Sequence, residues 1–98
     1  MADSFADFVS EQLAALPEFR RRPMFGGFGL YTGTHFFGII SGQELYFKVN
    51  EQTRKDFEKL GSQPFAPSAK QVLKNYYQVP AEIIEDRPTL LAWAKKSD

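Results

Sequence analysis

MFGGFGLYTGTHFFGIISGQELYFKV, Met24 to Val49, is the stretch on which the fold class turns. Its last part alternates: Leu45, Phe47 and Val49 fall on one side of an extended chain, and Glu44, Tyr46 and Lys48 on the other. One side therefore belongs to a core and the other is wet or covered by a partner. Gly33 and Ser41-Gly42 interrupt the apolar and β-branched residues at hairpin spacing, so the stretch reads as a three-stranded antiparallel meander. His35 to Ile40 is apolar on both sides, which suits its central strand.

The flanks change period. Ser4 and Asp7 have capping-box spacing, and Phe5, Phe8, Val9, Gln12, Leu13 and Leu16 follow at helical intervals, predicting a helix from Ser4 to Leu16 that ends at Pro17. Beyond the meander, Asn50 can cap a helix over Glu51 to Leu60, with Phe57 and Leu60 turned inward and Gly61 at the left-handed C-cap position. Pro64 and Pro67 exclude a central strand locally, whereas Gln71 to Val79 has strand composition, giving a second hairpin. Pro80 to Glu85 reads as one helical turn. Asp86 then caps a last helix carrying Leu90, Leu91, Trp93 and Ala94, with Lys95 and Lys96 at its negative end. The predicted class is α+β, in the order α-β-β-β-α-β-β-α, as a single domain over residues 1–98.

Composition agrees with a folded domain. The 98 residues are 43% hydrophobic and 15% aromatic, with ten Phe, so burying large rings can offset ordering entropy without disulfides or metals. Twelve Lys and Arg balance twelve Asp and Glu, which disfavours a polyanion as the main partner. The absence of Cys removes thiol chemistry and Cys-based metal sites. MADSFADF carries no signal-peptide pattern, and no apolar run approaches membrane length, so a cytoplasmic location without membrane contact is expected.

The residues that could carry chemistry are few. Gly26, Gly27 and Gly29 lack the third glycine and the strand-to-helix setting of a dinucleotide fingerprint, and the GXXG spacing lacks the helices of a KH loop. Their expected role is structural, admitting close packing beside a strand. Arg20, Arg21 and Arg22 then form the polar approach to the first strand. Tyr31, Tyr46, Lys48, Lys74 and Tyr76 could stack bases on a sheet face, a reading that net neutrality weakens. His35, the sole histidine, sits beside Phe36 and Phe37, where a hydrogen-bonded structural role is expected. No metal-ligand spacing or nucleophile elbow occurs, and Glu85-Asp86 is explained by capping. No catalytic residue, cofactor or metal is assigned.

Four blocks in order, RRRPMFGGFGLY (Arg20 to Tyr31), LYFKVNEQTRKDFEKLGSQPF (Leu45 to Phe65), NYYQVP (Asn75 to Pro80) and EDRPTLLAWAKK (Glu85 to Lys96), span nearly the whole chain. In them the chain resembles the N-terminal domain of the TfoX/Sxy family, bacterial regulators of DNA competence. The resemblance implies an α+β domain with helices packed on an antiparallel sheet, similar to secretion-chaperone-like folds, and no catalytic residues. It also implies that the second domain of full-length regulators is missing, since the chain stops at Asp98. The sequence departs from the family pattern at Pro67-Ser68-Ala69-Lys70 and at Arg87, between Asp86 and Pro88.

The resulting expectation is a non-enzymatic regulatory domain that binds a protein partner through Arg20, Arg21, Arg22, Tyr31, Tyr46 and Lys48. Surplus aromatics and sheet edges also suit a two-fold homodimer. The alternatives are a nucleic-acid module using Arg20 to Arg22, and a small-ligand site beside the glycines.

Overall fold

The computed structural model describes residues 4–24, 27–68 and 71–97. Helix α1 (Ser4–Leu13) precedes strands β1 (Phe19–Met24), β2 (Gly27–Thr32), β3 (His35–Ser41) and β4 (Glu44–Lys48). After α2 (Glu51–Lys59) come β5 (Pro64–Ser68), β6 (Gln71–Gln78), α3 (Ala81–Glu85) and α4 (Arg87–Lys96). All neighbouring strands are antiparallel in one six-stranded sheet of order β1-β2-β3-β4-β6-β5, and the helices cover one of its faces. The α+β class and the element order stand, with one added strand and the last helical turn as its own element.

The added strand is β1. The arginines read as its polar approach are themselves in the ladder, where Arg20 pairs with Tyr31, Arg21 with Leu30 and Arg22 with Gly29. Three cations and a proline show no apolar alternation, so only the partner strand reveals the pairing. As an edge strand, β1 tolerates Pro23 and keeps charge on its free side. The other edge, β5, takes Pro64 in the same way.

Local signals hold at the turns. Gly33 and Gly42 adopt φ of 63° and 61° in the two hairpin turns of the meander. Asn50 Oδ1 accepts from the Thr53 amide, and Thr53 Oγ1 accepts from the Asn50 amide, each at 2.9 Å, closing a reciprocal cap on α2. At its other end Gly61 has φ of 78°, and the Ser62 and Gly61 amides bond back to Phe57 and Glu58.

Several local expectations fail. α1 is helical from Ser4, the first described residue of this segment, and Asp7 accepts from Arg21, with no Ser4–Asp7 capping bond among the described residues. The helix stops at Leu13, and Leu16 closes a turn on the Leu13 carbonyl. Phe8 and Leu60 point outward, with exposures of 40% and 48%, because Val9, Leu13 and Phe57 already fill the inward face of their helices. Asp86 starts α4, but its carboxylate takes the Thr89 hydroxyl and no backbone amide.

The core sits between the sheet and the helices. Phe37, Phe47 and Phe57 are fully buried with Leu13, Leu30, Ile40, Leu45 and Leu90, and Trp93 packs on Phe57 at 4.6 Å between ring centroids. Gln12 is buried and satisfied: its amide donates to the Ile84 carbonyl at 2.8 Å, and its oxygen accepts from Arg87 Nε at 3.1 Å. Arg87, the departure from the family pattern, thus ties α4 to α1. Ser97 closes the end of α4 onto the sheet, its hydroxyl 2.6 Å from the Lys48 carbonyl and 3.1 Å from that of Phe37.

Candidate functional site

The face of the sheet opposite the helices holds the candidate site. Strand alternation assigns Arg20, Arg22 and Met24 of β1 to it, and leaves Phe19 and Arg21 on the helix side. Arg21 accordingly donates from Nη1 to Asp7 of α1 at 2.9 Å, reaches Ser10 Oγ at 3.2 Å, and lies 4.5 Å over the Phe28 ring. Among the described residues Arg22 has no such partner, and it lies over the Tyr31 ring at 5.9 Å. Arg20 donates to the Gly33 carbonyl at 2.9 Å and stays exposed.

A register shift in the β2–β3 ladder then decides what β3 presents. Leu30 pairs with Gly38 and Tyr31 with Phe36, so Phe37 is bulged. Phe37 packs on Phe47, and a Cβ at Gly38 would touch Leu30 and Phe47, so both residues face the helices. Phe36 and Ile39 are left on the open face. A second shift, where Pro64 pairs with Tyr77 but Phe65 with Leu73, places Leu73 and Tyr76 there as well.

Half-buried rings therefore run across the strands: Tyr31 to Phe36 at 5.1 Å and Phe36 to Tyr76 at 5.9 Å, with Lys48 paired beside Tyr76. Tyr46 packs against Phe65 at 4.5 Å. Burial pushes the Tyr76 phenol above its ordinary value, and neighbouring Tyr31 adds to the rise; burial and then the Glu44 carboxylate do the same for Tyr46. These hydroxyls stay neutral hydrogen-bonding groups at physiological pH.

Toward the other end of the strands the open face deepens into a cleft of about 460 Å³, lined by Met24, Gly27, Ile39, Phe65 and Leu73, with Ser41 and Gln71 as polar groups. A Cβ on Gly27 would stand 2.1 Å from the Ile40 carbonyl oxygen, and one on Gly29 2.8 Å from Met24 Sδ and 3.0 Å from Phe36 Cε1. Gly26 lies outside the described residues, as do Ala69 and Lys70 of the turn that departs from the family pattern.

Of the residues expected to meet a partner, the structure brings Arg20, Arg22, Tyr31, Tyr46 and Lys48 onto one face and sets Arg21 on the other. Lys74, weighed for base stacking, lies on the helix side near Arg54 and Glu58. Phe36, Phe65 and Leu73 join the face without a sequence signal, because the bulges that aim them have none. His35 is exposed, with Nε2 3.4 Å from the Ser97 carbonyl oxygen, a marginal hydrogen bond. Among the described residues no group of three or more His, Asp or Glu could hold a metal ion, and no helix is long and apolar enough to cross a membrane.

Comparison with known proteins is consistent with this architecture. The chain is 30% identical over 93 residues to the DNA transformation protein TfoX1 of Aliivibrio fischeri, a match that covers 93% of this chain and 42% of that protein. The chain thus spans less than half the length of this curated relative. The profile of the TfoX N-terminal domain matches residues 11–97, from the last turn of α1 to the residue that follows α4, and the chain belongs to that family.

Proposed function

We propose that this chain is a non-enzymatic, cytoplasmic regulatory domain that works by protein contact through the helix-free face, in transcriptional control of the kind its competence-regulator family suggests. One observation carries the reading: half-buried Tyr31, Phe36 and Tyr76 lie side by side on the face opposite the helices, flanked by Arg20, Arg22 and Lys48. Aromatic and arginine side chains so placed are the residue types that concentrate binding energy at protein interfaces. The name of the Aliivibrio fischeri relative supports a role in DNA transformation for that protein. For this chain the role in gene control is the proposal's own.

The test is a transcript profile in the organism that carries the chain, after its deletion and complementation. Wild type and Arg21→Ala should restore the profile, while the Arg22→Glu/Tyr31→Ala double variant, shown folded by thermal melting, should not. Full restoration by the double variant would remove the open face from the function.

A further inference from the structure

The charge and shape of the open face specify what it takes. Arg20, Arg22 and Lys48 carry positive charge around the Tyr31–Phe36–Tyr76 row, and among the described residues the one ion pair is Arg21 to Asp7, on the other face. The carboxylates near the open face sit at its margins. Glu44 is hydrogen-bonded to Gln78 at the cleft end, and Glu18 lies beside Gly33 at the opposite end. The face is thus cationic over its aromatic half and apolar over its cleft half.

Two features separate a peptide from a nucleic acid. The rings are tilted onto one another, at 42° for Tyr31 with Phe36 and 52° for Phe36 with Tyr76, so they offer edges and half-faces where stacked bases need flat, free platforms. Three cations in a chain of zero net charge also fall short of the basic excess that tracking a phosphate backbone requires. Carboxylates set along a peptide suit three separated cations, and arginine binds them in a two-pronged geometry.

Dimensions follow from the strand order. From β1 to β6 the face crosses four strand intervals, roughly 19 Å, which an extended peptide of about six residues spans. The 460 Å³ cleft lies a few residues along the strands from the cations and is large enough for one bulky side chain.

We propose that the open face binds a short acidic segment of a protein partner, whose carboxylates meet Arg20, Arg22 and Lys48 and whose single bulky apolar side chain enters the Met24–Leu73 cleft. This rests on the reading of the face as a protein contact surface, and it adds the chemistry of the partner.

The experiment is selection of a phage-displayed random peptide library on the purified chain, followed by fluorescence anisotropy with the enriched peptides. Enriched sequences should combine several Asp or Glu with one Leu, Ile or Phe. Their affinity should fall about tenfold or more in Arg22→Ala/Lys48→Ala, fall severalfold with added salt, and stay within about twofold in Arg21→Ala. Leu73→Lys should weaken binding of the parent peptide more than that of its copy with Ala at the apolar position. Each variant is first shown to melt cooperatively like wild type.

Enrichment of basic or uncharged sequences, no enrichment over empty beads, or unchanged affinity in the double charge variant would overturn the proposal. So would tighter binding to oligothymidine than to any selected peptide, or a concentration-dependent dimer that blocks peptide binding. Because the transcript test is blind to partner chemistry, failure here with an active open face there would discard the acidic segment and keep the contact surface.

Discussion

Arg21 and Arg22 are neighbours in sequence and opposites in structure. Arg21 points to the helices, where Asp7, Ser10 and the Phe28 ring hold it; Arg22 points to the open face, where it lies over the Tyr31 ring. Apart from Ile39, buried on the open side, and Phe19 and Phe28, half-buried on the helix side, the large side chains of the two faces differ in the same way. The helix side buries Leu30, Phe37, Phe47 and Tyr77 to a few percent exposure or less, while the open side leaves Tyr31, Phe36 and Tyr76 half-buried. A strand places residues on two sides with equal ease, so the difference comes from what each face meets. One face is spent on stability, and the other keeps large rings half-buried at its surface, packed on one another.

That contrast can be broken by substitution. The largest effect is expected for Phe47→Ala on the helix side, which should cost about 3–5 kcal/mol in urea denaturation, against about 1 kcal/mol or less for Tyr31→Ala on the open side. Equal losses would erase the distinction between the faces. Next comes Gly27→Ala, whose methyl would press on the Ile40 carbonyl and should cost about 1–3 kcal/mol by forcing β2 and β3 apart. A neutral Gly27→Ala would show that the close approach is not needed.

Tyr76 and Tyr77 repeat the comparison in a titration. Burial raises the Tyr77 phenol above its ordinary value, helped by its 3.0 Å hydrogen bond to Glu58 and by the charge of that carboxylate, against a smaller opposing pull from Arg54. A phenol whose value is higher in the folded chain than in the unfolded one contributes its stability in full below the unfolded value, and loses it as pH climbs through the folded one. Stability should therefore decline from about pH 10 upward. Tyr77→Phe should flatten that decline more than Tyr76→Phe, because the Tyr77 hydroxyl donates to the Glu58 carboxylate, whose charge also opposes ionisation, whereas the rise at Tyr76 involves no carboxylate. The reverse ranking would show that the Glu58 contact does not govern the titration.

The smallest expected effect sharpens the comparison most. Arg21→Ala should lower stability by at most about 1 kcal/mol, since its ion pair is partly exposed, and Arg22→Ala should leave stability near wild type. Only the second should weaken binding at the open face.

The sequence carried the parts of this fold that depend on local chemistry. The alternation of Glu44 to Val49, the turns at Gly33 and Gly42, and the caps at Asn50 and Gly61 all formed where single residues demanded them. It concealed what depends on register. β1 is invisible because Arg20 to Pro23 has no apolar period, and its strand state is imposed by β2. The outward turn of Phe8 and Leu60 follows from competition for a helix face that the sequence does not rank. Within the candidate site, Tyr46 and Lys48 are readable from alternation. Phe36 was hidden because β3 is apolar on both sides, and Phe65 and Leu73 were hidden because bulges and coiling of the sheet bring them over the cleft.

The central claim is that the open face touches protein and the helix-covered side does not. Its most direct test is a photo-cross-linking phenylalanine analogue placed at Tyr31 in one variant and at exposed Phe8 of α1 in another, irradiated in living cells and treated with nuclease. A discrete protein adduct from position 31, absent from position 8, is the predicted result. Identical adduct patterns from both positions, or an adduct at position 31 that nuclease removes, would contradict it.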